Sequence, residues 1–256
     1  MTRVYHLDLD PDAAEGSELA LLPGDPGRVP RLARAVDAGA REIGWRREFR
    51  SFLAHVGGRG VLVTSTGIGG PSTSIAVEEL ARLGVRTFLR VGTTGSIQPR
   101  IDAGHVIITA GAVRRDGASA DYAPIEYPAV AHHEVLNALV AAARERGTAF
   151  HVGITVSSAT FYPGEERGDT FGGGTLRRLR GATEEWRRLG VLSYEMEAAT
   201  LLTMCGVLSL RGGCVAGVVN AAGGRIDEDR LERGEAAVIE VAAAAVGRLL
   251  EGPPAF

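Results

Sequence analysis

The sequence predicts an α/β protein: a three-layer α/β/α single domain over residues 1–256, with a central mixed, mainly parallel sheet. Three observations carry this. Short apolar runs bounded by glycine alternate with helical patterns along the whole length. The strand-like runs are rich in Val and Ile without strict polar alternation, as in strands covered on both faces. Gly and Ala are plentiful and aromatics only 5%, which suits helices packed closely on a sheet. In order, strands are expected over 19–22, 60–66, 87–91, 105–112, 151–157 and 214–219. Helices are expected over 29–35, 72–83, 133–146, 184–189, 197–208 and 228–250. No repeat or linker divides the chain, and Gly172-Gly173-Gly174 reads as a mobile loop.

Composition excludes several function classes. Net charge is −3 and no block of five like charges occurs, so no nucleic-acid surface is expected. The basic residues are all arginine, which removes Schiff-base chemistry on a protein amine. Cys205 and Cys214 lie in apolar surroundings without metal-like spacing and read as buried thiols in a reducing compartment. No apolar run reaches the ~18 residues of a membrane span. The first six residues lack a signal-peptide core. A cytoplasmic protein with no membrane partner is the expectation.

The organising stretch is Ser193-Tyr194-Glu195-Met196-Glu197, which runs straight into the apolar Ala198-Ala199-Thr200 segment. A carboxylate in a first helical turn is favoured by the macrodipole, and this accounts for Glu197. It does not account for Glu195 two residues earlier.

Glycine-rich motifs follow the predicted strands, at the carboxyl ends where ligands collect in such folds. The first is Pro23-Gly24-Asp25-Pro26-Gly27-Arg28, either a plain β-turn or an anion loop in which N–H groups and Arg28 hold a negative charge. The second, Thr64 to Ser74, carries three glycines and six hydroxyl residues. It reads either as an anion or sugar loop or as a tight turn with Ser72 near the helix cap. In the third, Arg90 precedes Gly92-Thr93-Thr94-Gly95. A guanidinium near a strand end calls for an anion, because burying it unpaired is costly. Arg28, Arg90 and Thr93 thus suggest a phosphate site built from three loops. It is neither a Walker loop nor a dinucleotide fingerprint, so phosphate is a reactant or small ligand. Farther on, Phe161, Glu165 and Arg167 could stack on and read a planar heteroaromatic ring; the alternative is a surface loop with Phe161 tucked inward.

Together these motifs resemble the hexameric nucleoside phosphorylases, and among them the uridine phosphorylases. The matching stretches are PGDPGRV (23–29), RREF (46–49), STGIGGPSTSIAVEELARLGVRTFLRVGTTGSIQP (65–99), DGAS (116–119), SSATFYPGEER (157–167), EEWRRLGVLSYEMEAATLLTMC (184–205) and VAGVV (215–219). The resemblance implies phosphorolysis: a pyrimidine ribonucleoside and inorganic phosphate, the co-substrate, give free base and ribose 1-phosphate. It implies phosphate ligands Gly24, Arg28, Arg90 and Thr93, with Arg47 supplied by a neighbouring subunit. Ribose contacts are implied for Met196 and Glu197 with Glu195 beside them, for Thr93, and for His6 across a subunit interface. Base contacts are implied for Thr94, Gly95, Phe161, Glu165, Arg167, Val218 and Val219. Arg90, Glu197 and Arg167 would carry the chemistry. No further cofactor is implied beyond a potassium site of Glu48, Ile68 and Ser72 at a dimer interface. The assembly implied is a homo-oligomer, at least a dimer and usually a trimer of dimers.

The sequence departs from this resemblance at the base. Glu165 stands where the uridine phosphorylases carry Gln. An ionised carboxylate only accepts hydrogen bonds, so Glu165 is protonated, or faces water, or faces a base with two donors such as guanine or hypoxanthine. After Val219-Asn220 a family Arg is missing, and Arg225 substitutes only if its loop folds back. A purine nucleoside phosphorylase, a nucleosidase and a non-catalytic nucleoside-binding paralogue are the alternatives.

Overall fold

A computed structural model describes residues 3–221 and 227–251. In chain order the elements are α1 (Pro11–Ala14), β1 (Leu19–Leu22), α2 (Val29–Val36), β2 (Arg41–Arg46), β3 (Phe49–Val56), β4 (Arg59–Thr64) and α3 (Gly70–Arg82). They continue with β5 (Thr87–Ser96), β6 (Val106–Arg115), β7 (Ala129–Val130), α4 (His133–Arg146), β8 (Phe150–Ser158) and α5 (Ala182–Arg188). The last are β9 (Ser193–Glu195), α6 (Ala198–Val207), β10 (Arg211–Ala221) and α7 (Glu228–Glu251).

The expected mixed α/β architecture is present, with helices on both faces of one sheet. Along β1 the reason is visible residue by residue. Leu19 and Leu21 join one core with Leu32 of α2, Leu139 of α4 and Val246 of α7. Ala20 and Leu22 join the other, with Val77 and Leu80 of α3 and Leu201 of α6. Both sets of alternating side chains are apolar because both faces are dry.

The longest pairings, β5 with β10 and β6 with β8, are parallel. Shorter antiparallel pairings join β10 to β6 and β9 to β5. With the parallel β8–β9 pairing these close a five-strand ring, β5–β10–β6–β8–β9. From β5 the sheet runs on through β1, β4, β3 and β2. The ring gathers the carboxyl ends of β5 and β10 and the whole of β9 around one opening, where the candidate site lies.

Three sequence readings change. The 87–91 strand extends through Ser96, so Gly92-Thr93-Thr94-Gly95 is strand rather than loop, paired with Ala216 to Asn220 of β10. The 41–56 segment, given no element, is the β2–β3 hairpin; its first strand is polar and largely exposed, and Arg47 at its turn adopts φ 56°. Helix α3 starts from Gly69, whose φ is 90°, and not near Ser72. Among the described residues no helix is long and apolar enough to cross a membrane. Both cysteines are free and buried, and burial pushes both thiols up, Cys214 to about 12.

Candidate active site

A cavity of about 1060 Å³ opens at the end of the ring. At its centre Arg90, 5% exposed, lies between two buried carboxylates. Its Nε donates to Glu195 Oε2 at 3.1 Å, and Nη2 is paired with Glu197. Glu195 also accepts from the backbone N–H of Glu197 at 2.9 Å, that of Ala198 at 2.8 Å, and the Ser157 hydroxyl. Three of these four donors converge on Oε2, and Ser157 alone reaches Oε1. Glu195 therefore caps α6 and holds Arg90 through Oε2, a positioning role, while it also lines the cavity. Its need for an acid two residues before Glu197 is the orphan N–H groups of the helix start.

Glu197 accepts from Gly69 N at 2.6 Å and lines the cavity. Burial first, then Glu195, raises its pKa, and Arg90 opposes them. Arg90 is held firmly protonated by the two carboxylates despite burial. Its Nη1 is buried and, among the described residues, has no hydrogen-bond partner. That atom lies toward Gly24, where an added Cβ would come within 3.9 Å of it.

The 23–28 turn and the 66–69 turn are tied together, Thr66 N donating to Pro23 O and Gly67 N to Gly24 O. Arg28 lines the cavity beside them. Its Nε and Nη2 both reach Glu235 Oε1 of α7, at 3.0 and 2.6 Å, and Nη1 reaches Val91 O at 3.4 Å. Sequence reasoning missed Glu235, which is 207 residues away on a helix whose pattern signals only a packed face. Thr93, Thr94, Gly95 and Met196 line the cavity; the Thr94 hydroxyl is spent on Tyr194 O at 2.6 Å.

The 161–169 segment forms the other end. The Arg167 guanidinium lies 4.2 Å over the Phe161 ring, so one face of that ring is covered, and its Nε reaches Asp169 at 3.4 Å. Glu166 accepts from the N–H of Gly181 and of Thr183, fixing the start of α5. Glu165 lines the cavity with its pKa raised to about 7 by burial, against Arg167 and with Glu195 and Glu197. Val219 lines the cavity as well. Val218 points the opposite way, into a core with Ile101, Ile107 and Leu192, because successive strand residues face opposite sides. The structure thus removes Val218 from the expected base contacts.

Two expected ligands are not in this cavity. Arg47 is exposed at the β2–β3 turn, and His6 binds Glu79 through Nδ1 at 2.7 Å. Glu48 and Ser72 meet at 3.0 Å beside Ile68, which is 77% exposed. Glu48 and Ser72 offer oxygen donors, the kind that suits hard cations. Arg225 lies outside the described residues.

The family model for the Phosphorylase superfamily matches residues 18–252. The chain belongs to the phosphorylase superfamily. Members of that superfamily resemble it over most of their length. Uridine phosphorylase of Escherichia coli (strain K12) is 55% identical over 216 residues, 84% of this chain and 85% of that protein. Uridine phosphorylase of Thermococcus kodakarensis is 44% identical over 247 residues, 96% of this chain and 87% of that protein. Guanosine phosphorylase of Halorubrum lacusprofundi is 38% identical over 201 residues, 78% of this chain and 77% of that protein.

Proposed function

We propose that this chain is a pentosyltransferase that phosphorolyses uridine, breaking the N-glycosidic bond and joining a phosphate oxygen to the anomeric carbon. The carrying observation is Arg90: two of its nitrogens are fixed by carboxylates while Nη1 is buried, unpartnered and turned toward the Gly24 loop. Such a donor is stabilised by an anion, and phosphate held there would meet Arg28 and Thr93 as well. Glu197, aimed into the same cavity, would take the ribose hydroxyls and favour positive charge on the sugar; Met196 would pack against the ring. Arg167 would stabilise the negative charge that the departing base carries away, with Phe161, Thr94, Gly95 and Val219 around it. Uridine is favoured over guanosine because the relatives named uridine phosphorylase are 55% and 44% identical and the guanosine phosphorylase 38%.

Arg47 and His6 lie outside the cavity of their own protomer, which supports a homo-oligomer, a dimer at least and a hexamer as a trimer of dimers, in which a second copy supplies them. Potassium at Glu48, Ile68 and Ser72 would belong to that interface and enters no chemical step. The free thiols fit a cytoplasmic enzyme.

The test is base release from a nucleoside panel with and without phosphate. Phosphate-dependent release from uridine is expected. Release from inosine or guanosine but not uridine refutes the pyrimidine assignment, release without phosphate makes the chain a nucleosidase, and no release from any nucleoside refutes catalysis.

A further inference from the structure

Glu165 and Glu195 face the same cavity in opposite states. Glu195 receives four donors. Glu165, among the described residues, receives no hydrogen bond and no ion pair, although it is half-buried in the cavity wall. The charged and titratable groups facing it are few. From its own segment comes Arg167, whose guanidinium is turned onto Phe161 and Asp169. From the start of α6 comes Glu197, and from β9 come Glu195 and Tyr194. Burial acts first, and the two carboxylates add to it against the opposing charge of Arg167, so a carboxyl so placed is satisfied by keeping its proton.

A neutral carboxylic acid has an O–H donor next to a carbonyl acceptor. The dione edge of a pyrimidine base has a carbonyl acceptor next to an N–H donor, so the two edges pair by two hydrogen bonds. An ionised carboxylate would instead set a full negative charge against the carbonyl oxygen, and the repulsion would grow as the base leaves with its electron pair.

We propose that Glu165 recognises the pyrimidine base as a neutral acid, donating its O–H to a ring carbonyl and accepting the neighbouring ring N–H, so that base binding is switched off when this proton is lost. The inference rests on the uridine reading above and names the group that reads its base. The sign follows from the raised pKa: the binding-competent form is complete below the folded-state value and lost as pH rises through about 7.

The experiment compares kcat/KM for uridine from pH 5.5 to 9 in the unmodified protein and in Glu165→Gln, each profile scaled to its own maximum. Phosphate's second ionisation falls in the same range but affects both proteins alike, so the ratio of the two profiles is read. Glu165→Gln cannot ionise, and the ratio is expected to fall about 30-fold between pH 6 and 8.5, for a pKa of about 7. Uracil titrations in two buffers of different ionisation heat supply a second readout that needs no turnover. Near pH 8 the unmodified protein should take up close to one proton per uracil bound, and Glu165→Gln none. A flat ratio, or uracil binding without proton uptake at pH 8, overturns the inference while leaving uridine phosphorolysis standing. Inactivity of the unmodified protein toward uridine at every pH overturns the function reading, and the inference with it.

Discussion

Replacing Gly92 by Ala would separate the chemistry of Arg90 from the stability of the fold. Gly92 lies inside β5, at a φ that an alanine adopts, so the backbone does not oppose the change. The obstacle is the guanidinium. A Cβ on Gly92 would stand 2.8 Å from Arg90 Nη2, 2.9 Å from Cζ and 3.3 Å from Nε. Those atoms would have to retreat by roughly 0.5–1 Å to reach ordinary contact distance. They cannot do so without stretching the bonds to Glu195 and Glu197 or swinging Nη1 away from Gly24. A displacement of about 1 Å in a positioned group can cost about 10²-fold in rate, and loss of one electrostatic contact to the reacting centre about 2–4 kcal/mol. Gly92→Ala should therefore lower kcat/KM for phosphorolysis by about 10²-fold or more, with phosphate affinity falling in parallel. The ion pairs rearrange rather than vanish, so the melting temperature should fall by only a few degrees. Steady-state kinetics with phosphate varied, set beside thermal unfolding of the same preparation, decides it. A variant with undiminished kcat/KM, or one whose loss is matched by its unfolded fraction, would refute the idea that Arg90 must sit where it does.

Two further predictions concern assembly and packing. Arg47→Ala and Glu197→Ala, each expected to lose about 10²-fold in activity alone, should recover activity when co-expressed or dissociated and reassociated together, because a mixed dimer then contains one complete site; absence of recovery, with mixed oligomers demonstrated by native mass spectrometry, argues against delivery of Arg47 in trans. Gly217→Ala should strike stability instead, because its Cβ would fall on the backbone of Gly234 where β10 meets α7. Overpacking of about 1–3 kcal/mol or more there should lower the melting temperature by about 4–10 °C, read by calorimetry, with an unaltered value refuting the close approach.

Much of this was legible along the chain because local chemistry and local structure agreed. The runs at 19–22 and 61–63 announce doubly covered strands by being apolar at every position, and the burial of all four residues of β1 is the direct consequence. Arg90 was legible as a buried cation in need of anions. What could not be read was the division of labour between Glu195 and Glu197. It depends on where Ser157 and Arg90 arrive from other strands, 38 and 105 residues away. The β2–β3 hairpin was hidden because an exposed outer strand such as Arg41–Arg46 carries polar residues that mimic a loop. The reach of β5 through Gly92-Thr93-Thr94-Gly95 was hidden for a different reason: glycine signals a turn in sequence, but here two glycines leave room for Arg90 and for Asn220, against which a side chain at 92 or 95 would collide. Val218 shows the limit of carrying a run of residues over together, since its side chain joins Ile101, Ile107 and Leu192 in a core while its neighbour Val219 lines the cavity.

The charge around the phosphate end bears on why this protein would assemble. Arg28 and Arg31 both reach Glu235, and Arg90 is matched by Glu195 and Glu197, so three guanidiniums meet three carboxylates and the cluster is neutral. An anion approaching that cluster is attracted by the free edge of Arg90 but finds no net positive charge to offset its own; at about 4 Å and an effective dielectric of 20 each unit charge is worth about 4 kcal/mol. One more guanidinium would make the cluster positive before phosphate arrives and the site favourable to it. Among the described residues no further arginine lines the cavity at that end, whereas Arg47 stands exposed on a hairpin turn at the edge of the sheet with its side chain uncommitted to any ion pair among them. On this reasoning a dissociated protomer should keep its fold and its affinity for base while losing most of its affinity for phosphate, and raising salt should weaken phosphate binding more than base binding because only the former is a balance of charges.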